Sequence, residues 1–182
     1  MHILRITSSP RTTTSQSRKL GEAIIEKLQA ANPGATVQHH DLTNPLFPQM
    51  EEAFLGALFA PVDQHTELHK SAIRHSNEAL EEVKAADVLV IEAPLYNFAI
   101  TSSLKSWIDH IARPGLSFKY TDKGPVGLIE GKKVYVAVSS GGVYSEEPAK
   151  TMDFVTPYLT TILGFMGMTD VEFIRAEGFN VP

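Results

Sequence analysis

The segment Asp87-Val88-Leu89-Val90-Ile91 is almost continuously apolar, and Pro94 follows it closely. Continuous hydrophobicity is typical of a strand that is buried on both faces, as strands of parallel sheets are. The runs at residues 2–7 and 133–138 have the same character, so they are also predicted to be buried strands. We therefore expect a parallel sheet to organise the fold.

Helical patterns alternate with these strands. Leu20, Ile24 and Leu28 recur at helical spacing, and Asn32-Pro33-Gly34 ends the pattern. The remaining predicted elements are strands at 36–40 and 171–174, helices near 51–58, 65–85, 102–112 and after Pro148, and a loop or small hairpin at 113–131. The order β-α-β-(α)-α-β-α-β-α-β indicates an α/β fold with helices on both faces of a parallel sheet.

The composition is that of an ordinary globular protein. The chain has 182 residues, of which 43% are hydrophobic and 20% charged, so we expect a single domain over residues 1–182. The net charge of −5 argues against nucleic acid or an anionic membrane as the main partner. The absence of cysteine excludes disulfides, thiolate nucleophiles and iron–sulfur clusters. With no signal core and no apolar run long enough to span a membrane, a cytoplasmic location is predicted.

Ligands of open parallel sheets bind beyond the carboxyl ends of the strands. The informative loops are therefore Ser8–Ser17, Ala93–Phe98 and Ser139–Gly142, which follow the first, third and fourth strands. The first loop is rich in hydroxyl groups and ends at a helix N-terminus, where free N–H groups and partial positive charge suit a phosphate. Simple capping of the helix by Thr14 or Ser15 is the alternative explanation.

The other two loops have weaker signals. Tyr96 and Phe98 flank Asn97, so a planar ligand with polar edges, such as a flavin ring, could pack there and bond to the backbone. Core packing of the two aromatic rings, with Asn97 as a turn residue, explains this loop as well. Gly141 and Gly142 remove side chains where the backbone must approach something closely, or simply form a tight turn.

Other phosphate and catalytic motifs are absent. No Gly-x-Gly-x-x-Gly follows the first strand, and Gly131-Lys132-Lys133 precedes a strand, which excludes a dinucleotide fingerprint and a P-loop. No Gly-x-Ser-x-Gly elbow is present for a serine nucleophile. His65 and His69 are four residues apart but lack the adjacent glutamate of a zinc protease, so no metal site is expected.

Taken together, the loops resemble those of the FMN-dependent NADH-azoreductases, which are flavodoxin-like NADH:quinone oxidoreductases. The matching residues run along nearly the whole chain: Ser9, Ser15-Gln16-Ser17, Pro94-Leu95-Tyr96-Asn97-Phe98, Leu104-Lys105, Trp107-Ile108-Asp109, Gly115, Phe118-Lys119-Tyr120-Thr121, Gly127-Leu128, Ser139, Gly141-Gly142, Thr156-Pro157-Tyr158-Leu159, Gly164-Phe165-Met166-Gly167 and Ala176-Glu177-Gly178. Each motif alone is weak, whereas the ordered set is specific.

The resemblance implies a flavodoxin-like, doubly wound sheet of five parallel strands in the order 2-1-3-4-5. It also implies a homodimer with one FMN per subunit and sites near the interface. The FMN phosphate would be held by Ser9, Ser15, Gln16 and Ser17. The isoalloxazine ring would be held by Leu95, Tyr96, Asn97 and Phe98. Its pyrimidine edge would be held by Ser139, Ser140, Gly141 and Gly142. No side chain is expected to be catalytic, because the flavin N5 carries the chemistry.

The implied activity is a two-electron transfer from NADH through flavin N5 to a quinone, in a ping-pong cycle. Aromatic azo compounds would be cleaved to amines in two such rounds. Nicotinamide and acceptor would use one apolar slot in turn, with Phe118, Tyr120 and Tyr144 as candidate slot residues and Phe98 as a further wall. Packing within the hairpin is the alternative role for Phe118 and Tyr120.

Two other functions remain open at this point. A flavodoxin-type carrier of single electrons has the same fold, although a net charge of −5 is mild for a carrier that docks through an acidic patch. A non-catalytic flavin-binding module is the other, because a fold does not determine a function. The sequence identifies neither the physiological acceptor nor a preference between NADH and NADPH.

The chain departs from the family pattern at two positions. Ser140 stands where arginine is expected and Tyr144 where histidine is expected, both near the pyrimidine edge of the flavin. Electrostatic support for the reduced flavin, and with it the substrate range, could therefore differ. The family pattern also continues past Ala176-Glu177-Gly178 into a C-terminal helix that would cover one face of the sheet.

Overall fold

Seven strands form two sheets in the computed structural model, which describes residues 1–181. The strands are β1 (His2–Thr7), β2 (Thr36–Asp41), β3 (Val88–Pro94), β4 (Phe118–Thr121), β5 (Gly124–Gly127), β6 (Lys133–Ser139) and β7 (Asp170–Ala176). Five of them form one parallel sheet in the order β2-β1-β3-β6-β7. Counting only these five strands, the order is 2-1-3-4-5, as the resemblance implies.

Five α-helices connect the strands. They are α1 (Gln16–Ala31), α2 (Glu52–Phe59), α3 (Glu67–Ala85), α4 (Ser102–Ile111) and α5 (Val155–Phe165), with short 3₁₀ turns at Val62–Gln64 and Ala149–Met152. Side-chain caps fix several of the helix starts: the hydroxyl of Thr66 accepts from the His69 N–H at 3.2 Å, and that of Thr101 accepts from the Leu104 N–H at 3.2 Å.

Helix α5 begins later than the sequence pattern suggests. Pro148 starts only a single 3₁₀ turn, and Asp153 then caps the α-helix by accepting from the N–H groups of Val155 and Thr156 at 2.9 and 3.1 Å. A carboxylate at this position satisfies N–H groups that have no partner inside the helix. The cap, rather than the proline, therefore sets the first residue of α5.

The central sheet is covered on both faces. All seven residues of β3 are buried, as its continuous hydrophobicity predicts. On one face Ile3 and Val90 pack against Ile24 and Ile25 of α1. On the other face the core residues of the sheet pack against α3, α4 and α5, where Trp107 is the largest fully buried side chain.

The hairpin β4-β5 confirms the small hairpin expected between residues 113 and 131 and lies beside α5. Gly127 permits this close approach, since a Cβ there would come within 2.1 Å of the Gly167 nitrogen. The Ile129 N–H also donates to the carbonyl of Met166 at 2.9 Å. These contacts hold the hairpin at the edge of the molecule rather than in the sheet.

Within residues 1–181, the helices are all too short or too polar to cross a lipid bilayer.

Candidate functional site

A cavity of about 170 Å³ lies where the carboxyl ends of β1, β3 and β6 meet. Its lining consists of Arg11, Thr14, Ser15, Gln16, Pro94, Leu95, Tyr96, Ser139, Ser140, Gly141, Phe179 and Asn180. All three loops selected from the sequence contribute to it. A backbone hydrogen bond from the Leu95 N–H to the carbonyl of Ser139, at 2.8 Å, joins two of these loops directly.

A second cavity, of about 360 Å³, adjoins the first. It is lined by Leu95, Tyr96, Asn97, Phe98, Gly141, Gly142, Tyr144, Asn180 and Val181. Four residues are shared between the two cavities: Leu95, Tyr96, Gly141 and Asn180. The two spaces therefore form one elongated region, with hydroxyl groups and a guanidinium at one end and aromatic rings at the other.

The hydroxyl-rich loop brings Ser15 and Gln16 to the first cavity. Ser15 is the N-cap of α1: its hydroxyl accepts from the Arg18 N–H at 3.3 Å and lies 3.1 Å from the Ser17 hydroxyl. Ser9 and Ser17 are buried and do not line the cavity themselves. Because α1 has no acidic residue in its first turn, the free N–H groups at its start offer an unopposed positive pole to an anion.

The loop after β3 forms a tight turn with unusual backbone angles. Tyr96 and Ala99 exchange two backbone hydrogen bonds, and the two central residues, Asn97 and Phe98, have φ values of 50° and 70°. Such angles are uncommon for a residue like phenylalanine, and strain of this kind concentrates at functional sites. Tyr96 and Phe98 are 38% and 41% exposed, so their rings form the surface of the second cavity rather than the core.

The loop after β6 approaches the chain's own C-terminal segment closely. A Cβ at Gly141 would come within 2.4 Å of Asn180 Nδ2, and the Asn180 N–H donates to the Gly141 carbonyl at 2.9 Å. The hydroxyl of Ser140 donates to the carbonyl of Gly142 at 2.8 Å, so it is used inside the turn. Glycine at 141 thus lets Asn180 pack closely against the rim of the cavity.

The three slot candidates separate into two groups. Tyr144 lines the second cavity, where its ring meets Phe98 edge-on at 6.1 Å between centroids. Phe118 and Tyr120 lie on the hairpin, outside the linings of both cavities. Phe118 is buried against Phe165 with ring centroids 4.4 Å apart, whereas Tyr120 is 73% exposed.

An ion-pair network holds the Tyr144 loop in place. The Tyr144 N–H donates to Glu177 Oε1 at 3.0 Å, and the guanidinium of Arg175 pairs with both Glu177 and Asp153. Burial alone would raise the pKa of Glu177, but hydrogen bonds from Ser145 and Tyr144, with the charge of Arg175, outweigh it and lower the pKa. Glu177 is therefore ionised at neutral pH and links the loop to the start of α5.

Six residues that line the two cavities are not among the predicted site residues: Arg11, Thr14, Pro94, Phe179, Asn180 and Val181. Arg11, Thr14 and Pro94 lie within two of the loops that the sequence indicates, and Thr14 is considered there only as a cap of α1, a role that Ser15 fills. Phe179 and Asn180 follow β7, whose carboxyl end is not among the three loops that the sequence indicates. The available signal is Gly178, which has a φ of 80° and turns the chain back toward the site.

No cluster of three or more His, Asp or Glu side chains suited to a metal ion occurs in residues 1–181. The first cavity, as far as the described residues line it, contains no carboxylate and one guanidinium. The second is lined largely by apolar and aromatic groups. This arrangement suits a ligand with an anionic tail and a flat ring with polar edges.

Comparisons with known proteins give one consistent family. The family model for the flavodoxin-like fold matches residues 1–182. An FMN-dependent NADH:quinone oxidoreductase of Herminiimonas arsenicoxydans is 51% identical over 176 residues, which are 97% of this chain and 86% of that protein. A second such protein, from Burkholderia lata, is 48% identical over 179 residues, covering 98% of this chain and 89% of the relative.

Solved structures agree. An azoreductase from Bacillus anthracis strain Sterne matches with a TM-score of 0.91 and 33% identity, covering 98% of this chain and 88% of that one. An FMN-dependent NADH-azoreductase from Bacillus anthracis strain Ames Ancestor, solved in complex with FMN, matches with a TM-score of 0.91 and 28% identity. This second match covers all of this chain and 90% of the other.

Proposed function

The chain belongs to the family of FMN-dependent NADH:quinone oxidoreductases, and from this membership we propose that it is an FMN-dependent enzyme that transfers two electrons from NADH to quinones. The observation that carries the proposal is the elongated cavity at the carboxyl edge of the sheet, to which three separate loops contribute. We further propose that it reductively cleaves aromatic azo compounds to amines, since structural neighbours are named azoreductases.

The residues that line the two cavities fit FMN. The N-terminus of α1, the hydroxyl of Ser15 and the guanidinium of Arg11 supply donors for a phosphate, and the described lining holds no carboxylate to repel it. The rings of Tyr96 and Phe98 offer flat, half-exposed surfaces for the isoalloxazine. When bound, FMN would supply hydride chemistry at N5, in a ping-pong order between NADH and the acceptor.

This chain's own residues contribute position and an apolar environment. Leu95, Tyr96, Asn97 and Phe98 would hold the ring, while Ser139, Ser140, Gly141 and Gly142 would border its pyrimidine edge. The hydroxyl of Ser140 already donates within its turn, so the polar groups available at that edge include the Ser139 hydroxyl, backbone groups and Asn180. Tyr144 and Phe98 would form one wall of the slot in which nicotinamide and acceptor alternate.

We also propose that the protein is a homodimer. An apolar groove of about 780 Å³ adjoins the site, lined by Ala99, Ile100, Ser102, Lys105, Phe154, Pro157, Tyr158 and Thr161. Phe154 in this groove is 57% exposed, and its N–H donates to the carbonyl of Phe98 at 3.0 Å. A large exposed apolar surface of this kind marks an interaction site, and a second copy seated there would lie beside the second cavity.

The dimer would also account for Tyr120, a slot candidate that lies outside the cavities of its own chain and is 73% exposed. Its ring would reach a slot if the hairpin faces the second copy, while Phe118, buried against Phe165, would support the hairpin. Sedimentation of the wild type should give a dimer, and Phe154→Glu should shift it toward monomer, whereas Leu46→Glu, an exposed position outside the groove, should not. A wild type that sediments as a monomer at all concentrations contradicts this part of the proposal.

We also propose that residues 1–182 form a single domain and that the protein is located in the cytoplasm.

The decisive experiment is an absorption spectrum of the purified protein supplied with FMN. NADH should bleach the flavin bands without any other protein, and benzoquinone should restore them. Repeating the cycle with NADPH, and with an aromatic azo dye as acceptor, would define donor preference and azo cleavage. Bound flavin that NADH does not bleach would instead indicate an electron carrier, and failure to bind FMN would indicate a module without this cofactor.

A further inference from the structure

Arg18 lies in the first turn of α1, yet its guanidinium contacts the preceding loop and the end of β2. Nη2 donates to the carbonyl oxygen of Ser9 at 2.8 Å and to the hydroxyl of Thr43 at 3.3 Å, and Nη1 donates to Asp41 Oδ2 at 2.9 Å. The side chain of Arg18 is only 14% exposed. Arg18 is not among the residues that line the first cavity.

The anchor for this guanidinium is itself fixed. Asp41 Oδ1 accepts from the Thr43 N–H at 2.9 Å and from the Thr43 hydroxyl at 2.6 Å. Burial would raise the pKa of Asp41, but hydrogen bonds from Thr43 and Arg18 outweigh it and hold the pKa below its usual range. The carboxylate is therefore charged and oriented at neutral pH, and it holds Arg18 in one position.

Arg18 contacts both ends of the stretch from Ser9 to Ser15, which forms most of the hydroxyl-rich loop. Its guanidinium binds the Ser9 carbonyl, and its backbone N–H donates to the Ser15 hydroxyl at 3.3 Å. A loop that binds an anion must turn its carbonyl oxygens away, because a carbonyl dipole that faces a phosphate repels it. By binding the Ser9 carbonyl oxygen, Arg18 occupies an acceptor of this loop that would otherwise be available to face the cavity.

We propose that Arg18 is a positioning residue for the phosphate of FMN: it does not touch the phosphate but keeps the loop 9–15 in its anion-binding shape. The inference rests on the proposed function, in that FMN is the ligand. Arginine suits this role because its planar fork reaches the Ser9 carbonyl and the Asp41 carboxylate at once. A lysine ammonium at the same position cannot make both contacts in one fixed geometry.

The test compares the binding of FMN with that of riboflavin, which has the same ring but no phosphate. We expect Arg18→Gln to weaken FMN binding roughly tenfold and riboflavin binding by less than about twofold. Arg18→Lys should restore little of the FMN affinity. Arg74→Gln, which removes a surface arginine paired with Glu78, is the matched control and should change neither affinity.

Each other outcome overturns the inference. Equal losses of FMN and riboflavin affinity in Arg18→Gln would indicate a general structural role. Full FMN affinity in Arg18→Lys would indicate that only the positive charge matters. Unchanged FMN affinity in Arg18→Gln would show that Arg18 does not position the loop. If Arg18→Gln does not fold, Asp41→Asn provides the test, because it weakens the anchor of the guanidinium. This variant should still lower FMN affinity more than riboflavin affinity. An equal effect on both affinities would overturn the inference. Failure of the wild type to bind FMN would refute the proposed function instead, so the two failures are distinguishable.

Discussion

The carboxylate of Glu92 lies so close to Gly21 of α1 that a Cβ at residue 21 would come within 2.2 Å of Glu92 Oε1. Glu92 is fully buried on β3, where it accepts from Arg5 Nε at 2.7 Å and from the Thr7 hydroxyl at 2.9 Å. Burial raises the pKa of Glu92 despite the opposing charge of Arg5. This contact therefore sets how closely α1 can approach the sheet, and with it the position of the loop that precedes α1.

Gly21→Ala should destabilise the protein. Alanine favours a helix over glycine by about 1 kcal/mol, but here its methyl group must displace Glu92 or α1, and overpacking of this kind costs about 1–3 kcal/mol. The matched control is Gly164→Ala in α5, where an added Cβ meets nothing within 4 Å. Urea unfolding should show a lower free energy of unfolding for Gly21→Ala than for the wild type. For Gly164→Ala the free energy of unfolding should be unchanged or slightly higher. Equal stability of the two variants would contradict a close contact between residue 21 and Glu92.

His110→Phe should flatten the pH dependence of stability between pH 7 and pH 5. Neither ring nitrogen of His110 has a hydrogen-bond partner among the described residues, and the ring stacks on Phe54 at 4.2 Å between centroids. Burial lowers the pKa of His110. As pH falls below about 6.5, the unfolded chain therefore takes up a proton that the folded chain refuses, and stability is lost.

Phenylalanine keeps the stacking and removes this titration. At pH 8, where the histidine is neutral in both states, the difference in the free energy of unfolding, measured with urea, reflects packing alone. As pH falls, the wild type should lose stability relative to His110→Phe. The pKa of His39 is also lowered, but His39 is present in both proteins and cancels in the comparison. Parallel pH profiles for wild type and variant would contradict the prediction.

Asp153→Asn should remove stability at neutral pH and flatten the acid limb of the profile. Burial would raise the pKa of Asp153, but hydrogen bonds from Thr156 and Arg175 outweigh it and lower the pKa. The stability that this carboxylate contributes is therefore present above about pH 4 and is lost as pH falls through the lowered value. Asparagine can keep the Oδ1 cap of α5, so the variant removes the ion pair with Arg175 together with the acceptor of the Thr156 hydroxyl.

The expected loss for Asp153→Asn at pH 7 is about 1–3 kcal/mol, because Arg175 loses a buried charged acceptor. The wild-type and variant stabilities should converge as pH falls below 4. Asp170→Asn, which breaks an exposed pair with Lys133, is the control and should leave the stability nearly unchanged. A constant difference between wild type and Asp153→Asn from pH 7 to pH 2 would be inconsistent with the lowered pKa.

Much of the fold could be predicted from the sequence because the strands have a local signal. Residues 87–91 are apolar on both faces, and the structure buries every residue of β3. The carboxyl ends of parallel strands lie at one edge of a sheet, so the sequence alone indicates the three loops of the cavity. Ser15, Gln16 and Leu95 line the cavity as that reasoning requires.

The remaining features depend on contacts between distant residues. Asn180 reaches the cavity only because Gly178 turns the chain back and Gly141 has no side chain in the way, and neither condition is visible in a local pattern. Phe118 and Tyr120 share a hairpin, but which surface that hairpin approaches depends on Gly127 and α5. The assignment of Ser9 and Ser17 to the phosphate stays a prediction, since both are buried behind the residues that line the cavity.

Gln16→Glu should separate cofactor binding from folding. Gln16 is the first residue of α1 and lines the first cavity, so a carboxylate there would repel the FMN phosphate. The same charge interacts favourably with the helix dipole, by about 0.3–1 kcal/mol, so the stability of the apoprotein should stay constant or rise. We expect FMN affinity to fall roughly tenfold, while riboflavin affinity changes much less.

The matched control for Gln16→Glu is Gln29→Glu, which adds the same charge near the other end of α1, away from the cavity. It should leave FMN affinity unchanged. The loss at residue 16 should also shrink as salt concentration rises, because exposed charges are screened within about 10 Å at 0.1 M. A variant at residue 16 that binds FMN as the wild type does, at low salt, would mean that the phosphate does not lie at the start of α1.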